Sequence, residues 1–183
     1  MLAKLENFLK KKLKGIDLKE IVDIVLFGSA VKGKEFPRDI DVCIIFREKI
    51  NQEIIKRLSL RWGSNIHLSV LVVDNFFRKP HSLIKTILIE GKSLLTNKSI
   101  AKNFGFSGAA LYSYDISKLK PSSKVRFIYL LKGRKSSKGI VSQFRGEWIT
   151  DSCFIIPIEK DNEMITILKK WRVQYKRKEI LLH

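Results

Sequence analysis

Cysteine is scarce in this 183-residue chain: Cys43 and Cys153 are the only two, and they share no CxxC spacing. So few thiols build no disulfide framework, and each falls in a stretch that reads as a strand, as expected of buried reduced thiols in a cytosolic protein. Histidine is equally thin. His67, His81 and His183 stand far apart, so no zinc site is assembled by spacing. No apolar run approaches the length of a membrane span. The first residues carry Lys4 and Lys10 to Lys12 and lack the apolar core of a signal peptide. The expectation is a soluble cytoplasmic protein with no membrane partner. Internal repeats and low-complexity segments are also missing.

Acidic residues are in deficit. Lys and Arg number 36 against 18 Asp and Glu, a net charge of +18. That exceeds what solubility requires and favours a polyanionic partner, RNA or DNA, over a merely solvated lysine surface. The excess is shared between the halves, +8 in residues 1–100 and +10 in residues 101–183. At 45% hydrophobic residues the chain is still able to build a core as one large domain or two small ones.

What the sequence does have is a concentrated motif between Ile24 and Phe46, IVLFGSAVKGKEFPRDIDVCIIF. An apolar strand runs into the turn Gly28-Ser29, a basic spacer follows, and a second strand carries Asp39 and Asp41. Side chains two apart on a strand project from one face, so the two carboxylates are neighbours. As anions they repel, and a cation between them relieves the repulsion. Hard oxygen ligands favour Mg²⁺, which takes one or two carboxylates and completes its shell with water and substrate phosphate. Glycine at the turn permits close backbone approach, and N–H groups at a helix start suit phosphate. Lys32, Lys34 and Arg38 crowd the same spacer, Lys32 being the first candidate for a triphosphate contact.

Gly28-Ser29 followed by Asp39-Ile40-Asp41 on two strands resembles the signature of the DNA polymerase β-like nucleotidyltransferase superfamily. The resemblance covers about the first half of the chain. It implies that Gly28 and Ser29 bind nucleotide phosphates and that Asp39 and Asp41 hold Mg²⁺ or Mn²⁺ for transfer of an NMP from an NTP. Lys32-Gly33 stands where the family often has Arg-Gly. A third carboxylate, usually on the next strand, completes the family's metal site. In the stretch Asn65 to Asp74 its natural places hold His67 or Ser69, and Asp74 lies at the far end. A missing ligand points to a one-metal or inactive site, or to His67 as general base, although a lone histidine on a strand is more often structural.

Apolar spacing predicts a helix from Leu2 to Lys14 with Leu2, Leu5, Phe8, Leu9 and Leu13 inward. It also predicts a helix capped by Asn51 and running to Trp62, and one over Ser82–Glu90, reached through Phe76, Phe77 and Pro80 and closed by Gly91. Strands are expected at Ile21–Phe27, Asp39–Phe46 and Asn65–Asp74. Strands alternating with helices argue for an α/β (α+β) nucleotidyltransferase core with a mixed sheet over residues 1–100. Asn103, Gly105, Ser107 and Gly108 read as linker, which sets a boundary near residues 97–108.

Residues 108–183 read as a smaller, basic α+β domain and a candidate nucleic-acid platform. Tyr112, Tyr114 and Ile116 alternate as on a half-buried strand, and Pro121 opens a helix through Leu131. The glycine-bounded loop Gly133 to Gly139 is no Walker A sequence. Its Arg134, Lys135 and Lys138 are candidate nucleic-acid contacts, with a plain mobile surface loop as the alternative. Phe154 to Glu159 reads as a strand, with Pro157 indicating a sheet edge. Asp161 is expected to cap a helix bearing Met164, Ile165, Leu168 and Trp171, and Tyr175 to Leu182 to form a last strand with a basic exposed face. Trp62, Trp148 and Trp171 are read as core. The favoured function is metal-dependent NMP transfer to RNA or DNA. The alternatives are a non-catalytic nucleic-acid binder on a decayed scaffold, and an antitoxin-like enzyme that attaches AMP to a partner protein.

Overall fold

The structure, a computed structural model, describes residues 2–34, 37–78 and 82–183, the side chain of Phe77 excepted. Pro80, expected to lead into the Ser82 helix, lies outside the described residues. The chain divides into two compact units, Met1–Phe106 and Ser107–His183.

The first unit runs α1 (Leu2–Lys11), β1 (Ile21–Phe27), β2 (Ile40–Phe46), α2 (Gln52–Trp62), β3 (Ile66–Val72), α3 (Val73–Arg78), α4 (Ser82–Glu90) and β4 (Lys92–Ser93). Its sheet has the order β3-β2-β1-β4. β2 and β3 are parallel, whereas β1 is antiparallel to both β2 and β4, so the sheet is mixed. β1 and β2 are covered on both faces, which explains their near-continuous apolar sequence. Ile24, Leu26, Val42, Ile44 and Phe46 join Leu9, Leu58 and Trp62 in one layer. The alternate residues Val25, Phe27, Cys43 and Ile45 join Ile84 and Ile87 of α4 in the other.

Local chemistry sets the helix ends. Asn51 Oδ1 accepts from the Glu53 and Ile54 amides at 3.0 and 3.2 Å, capping α2 as its sequence predicts. Trp62 is buried at the other end, and its Nε1 donates to the Leu9 carbonyl at 3.2 Å, tying α2 to α1. α1 stops at Lys11, short of Lys14, and Phe8 is exposed beneath the Lys12 ammonium rather than inward. The apolar run after His67 splits: β3 ends at Val72, and Asp74 opens α3, where it pairs with Arg78 at 2.8 Å.

The second unit runs β5 (Ser107–Asp115), α5 (Pro121–Lys132), β6 (Gly133–Arg134), β7 (Ser137–Lys138), α6 (Ile140–Gln143), β8 (Glu147–Thr150), β9 (Cys153–Pro157), α7 (Asp161–Lys170) and β10 (Gln174–Leu182). Its main sheet is antiparallel throughout, in the order β10-β5-β9-β8. Tyr112, Phe127, Leu131, Phe154, Met164 and Leu168 are fully buried in its core.

Four sequence expectations are corrected here. Ser107 and Gly108 are not linker but the start of β5, because β10 pairs along its whole length down to Leu182↔Ser107. β9 is not an edge strand. It lies between β5 and β8, and Pro157 is tolerated because β8 pairs only as far as Ile155. Asp161 is no exposed cap: it is 1% exposed, its carboxylate accepts from Tyr112 Oη, and Arg177 grips both of its oxygens at 2.6–2.7 Å. Trp148 and Trp171 are half-buried, at the margin of the aromatic cluster rather than inside it.

Candidate active site

The candidate site forms where β1 turns into the spacer. Gly28–Ala30 make a single 3₁₀ turn, closed by donation from the Val31 amide to the Gly28 carbonyl at 3.1 Å. Gly28 has φ +77°, a left-handed conformation that side chains disfavour. The antiparallel register sets Phe27 opposite Asp41. Asp41 therefore lies against the glycine, and a Cβ on Gly28 would overlap its carboxylate. The turn needs glycine twice, for its φ and for the space Asp41 occupies.

Alternation along β2 puts Asp41 on the same face as Cys43 and Ile45, the face covered by α4. Asp39 stands two residues earlier, just before the strand begins, and is exposed. The parallel β2–β3 register places His67 directly opposite Asp41. Its Nδ1 is 3.9 Å from Asp41 Oδ1, and its Nε2 is 4.0 Å from Asp39 Oδ1. One imidazole thus bridges the field of both carboxylates. Ser69 lies two residues further along β3, level with Cys43 rather than with the acid pair. Asp74, on α3, is paired with Arg78.

Electrostatics mark Asp41 as the strained member. Burial pushes its pKa above the ordinary carboxylate range and the Asp39 charge adds to this, while His67 and Lys32 act in the opposite direction. Lys32 Nζ is also 2.8 Å from Glu90 Oε2, at the end of α4, whose side chain is 3% exposed. The first candidate for phosphate contact is therefore already held by a buried carboxylate beside the site. Glu90 was not foreseen. The available signal was its position three residues after Ile87 and six after Ile84, on the buried stripe of α4. Lys34 and Arg38 are exposed on the spacer. Cys43 takes no part: burial pushes its thiol up to about 12.

The donor set fits a divalent cation. Both carboxylates lie within 4.0 Å of a ring nitrogen of His67, burial disfavours the charged form of Asp41, and glycine leaves room beside it. Among the described residues, no group of three or more His, Cys, Asp or Glu side chains is arranged to hold a metal. The fit is thus to an ion that takes two carboxylates and fills its shell from elsewhere, as Mg²⁺ does. A groove lined by Glu20, Arg47 and Asn51 opens at the other end of β1 and β2 and includes none of these residues.

Arg134, Lys135 and Lys138 belong to the second unit. Residues 133–138 form a two-stranded hairpin, not an open loop, with Lys135 in a left-handed conformation at its tip.

A mixed sheet carrying a Gly-Ser turn beside an Asp-x-Asp strand defines a nucleotidyltransferase fold. Residues 4–100 match the family Polymerase beta, Nucleotidyltransferase, and the chain belongs to it. No curated protein matches the chain. Three solved structures are similar in part. A chain from a tri-AMPylated HEPN toxin of Shewanella oneidensis in complex with MNT antitoxin is 19% identical, over 57% of this chain and 79% of that one, with a TM-score of 0.36. A chain from a mutant of the toxin–antitoxin MntA-HpeT is 16% identical, over 55% and 84%, with a TM-score of 0.38. A chain from a toxin–antitoxin with AMP-PNP is 20% identical, over 55% and 84%, with a TM-score of 0.38.

Proposed function

We propose that this protein transfers an NMP from an NTP to an acceptor hydroxyl and releases pyrophosphate, in a reaction dependent on Mg²⁺ or Mn²⁺. The observation that carries the reading is the Asp41 carboxylate seated against the Gly28 turn, with Asp39 on the other side of the same His67 ring. Backbone amides of the turn and the Ser29 hydroxyl would orient the phosphates. Asp39 and Asp41 would hold the divalent ion. That ion, when bound, neutralises phosphate charge and polarises the phosphoryl oxygen. Lys32, fixed by Glu90, adds positive charge beside Asp41. The acceptor oxygen bonds to the α-phosphorus as the bond to the β-phosphate oxygen breaks. The acceptor proton passes to a ring nitrogen of His67, which is exposed opposite Asp41. Catalysis of this kind rests on positioning and charge neutralisation, which these residues supply.

The net charge of +18 favours a nucleic-acid acceptor. A second reading, a nucleic-acid binder without transferase activity, is favoured by one observation: the residue opposite Asp41 on β3 is His67 and not a carboxylate. Pyrophosphate release separates the two. Wild type is assayed with each NTP, either metal, and RNA, DNA or cell-extract protein as acceptor, beside Asp39→Asn. Metal-dependent release by wild type alone supports transfer. Equal background from both proteins with every acceptor contradicts it.

A further inference from the structure

From Ile116 to Gly146 the chain contains nine Lys and Arg residues and not one Asp or Glu. The fold gathers much of that charge on the exposed side of α5 and the hairpin after it. Val125, Arg126 and Tyr129 are exposed on α5, and the Arg134 guanidinium lies 5.0 Å from the Tyr129 ring centre. An arginine stacked on an exposed tyrosine presents a flat cationic face, the chemistry that receives an unpaired base.

The hairpin is rigidly placed. Ser137 Oγ donates to the Arg134 carbonyl at 2.7 Å, and Gln143 Nε2 donates to the Lys138 carbonyl at 2.7 Å. A Cβ on Gly133 would overlap the Ser137 carbonyl, and one on Gly139 would overlap the Leu131 carbonyl. Glycine at 133 lets the two hairpin strands approach each other, and glycine at 139 lets the chain leaving the hairpin press onto the last turn of α5. Some neighbouring cations are already engaged: Lys132 pairs with Asp151, and Lys118 and Lys124 act on Asp115. Arg126, Arg134, Lys135 and Lys138 make no ion pair among the described residues.

We propose that the exposed side of α5 and the β6–β7 hairpin form a binding surface for single-stranded nucleic acid, with Tyr129 and Arg134 as the base-stacking element and Arg126, Lys135 and Lys138 as phosphate contacts. A fixed aromatic–arginine stack among cations suits bases and phosphates together. The proposal rests on the transferase reading only in supplying its acceptor. Binding needs no NTP, so the two fail separately.

The test uses the full chain and labelled single-stranded RNA and DNA of about 16 nucleotides, read by fluorescence anisotropy between about 50 and 200 mM salt. Arg134→Glu with Lys135→Glu should weaken binding at least about tenfold and lower the salt slope by about one or more. Tyr129→Ala should weaken it about fivefold or more with the slope unchanged, and Tyr129→Phe should restore it. Lys176→Glu with Lys178→Glu, an equal charge change on β10, should cost less than the hairpin pair. Thermal melts of each variant confirm folding. Equal losses from the hairpin and β10 pairs would overturn the proposal, since net charge alone would then carry binding. So would equal affinity for polyglutamate or anionic vesicles, or no binding at about 150 mM salt.

Discussion

The Asp41 carboxylate occupies the space that a Cβ of residue 28 would need. Gly28→Ala is therefore strained by φ +77° and must also displace the Asp41 carboxylate. The left-handed conformation alone costs about 1–2 kcal/mol. The expected outcome is a lower melting temperature together with loss of NTP binding by calorimetry. Unchanged NTP affinity would mean that the turn and Asp41 are not one site.

Asp41 also makes a prediction about pH. Its folded pKa is raised from 3.8, so the folded state holds the proton more tightly than the unfolded chain. Below the unfolded value both states are protonated and no penalty exists. As pH climbs through the window up to the raised pKa, the anion forms in the fold and stability is lost. Asp41→Asn should consequently melt higher than wild type at neutral pH, with the gap closing in acid. Added Mg²⁺ should raise the wild-type melt and leave that of Asp41→Asn nearly unchanged.

His67 faces Asp41 across the β2–β3 pair. His67→Ala should lower transfer by about 10²- to 10⁴-fold. His67→Asp should restore activity with Mg²⁺. An alanine variant as active as wild type would remove His67 from the reaction.

Lys32, on the spacer after the turn, pairs with the buried Glu90 carboxylate at 2.8 Å. Lys32→Met removes that ion pair from a carboxylate 3% exposed and should lower stability by about 3 kcal/mol in a denaturant titration. Adding Glu90→Gln should recover most of that loss. A single substitution that leaves stability unchanged would free Lys32 for phosphate contact alone.

The legible parts of this protein were those coded by near neighbours. Asn51, the apolar spacing of Ile54, Ile55 and Leu58, and Gly63 made α2 legible from Asn51 to about Trp62, because cap, stripe and stop all lie within or next to it. The place of Asp41 on β2 was legible through strand alternation, whereas Asp39 falls just before the strand; the mixed sheet was legible through alternating strands and helices. What stayed hidden was coded by contacts between distant positions. Asp161 looks like a helix cap in sequence, yet Tyr112 and Arg177 draw it into the core. Glu90 looks like a helix end and serves as the partner of Lys32. The Gly133 to Gly139 segment has no strand-forming residues, and becomes a hairpin because Gly133 lets its two strands close and Gly139 fits against α5. α3 was missed because its first residue continues the apolar run of β3.

The most direct test of the account follows the label. Wild type and Asp41→Asn are incubated with α-labelled and γ-labelled NTPs, Mg²⁺ or Mn²⁺, and separate RNA, DNA and protein acceptors. The account predicts that wild type alone passes the α-label to an acceptor and that the γ-label leaves as pyrophosphate. Transfer of the γ-label, or α-label on the acceptor with Asp41→Asn as readily as with wild type, would contradict it.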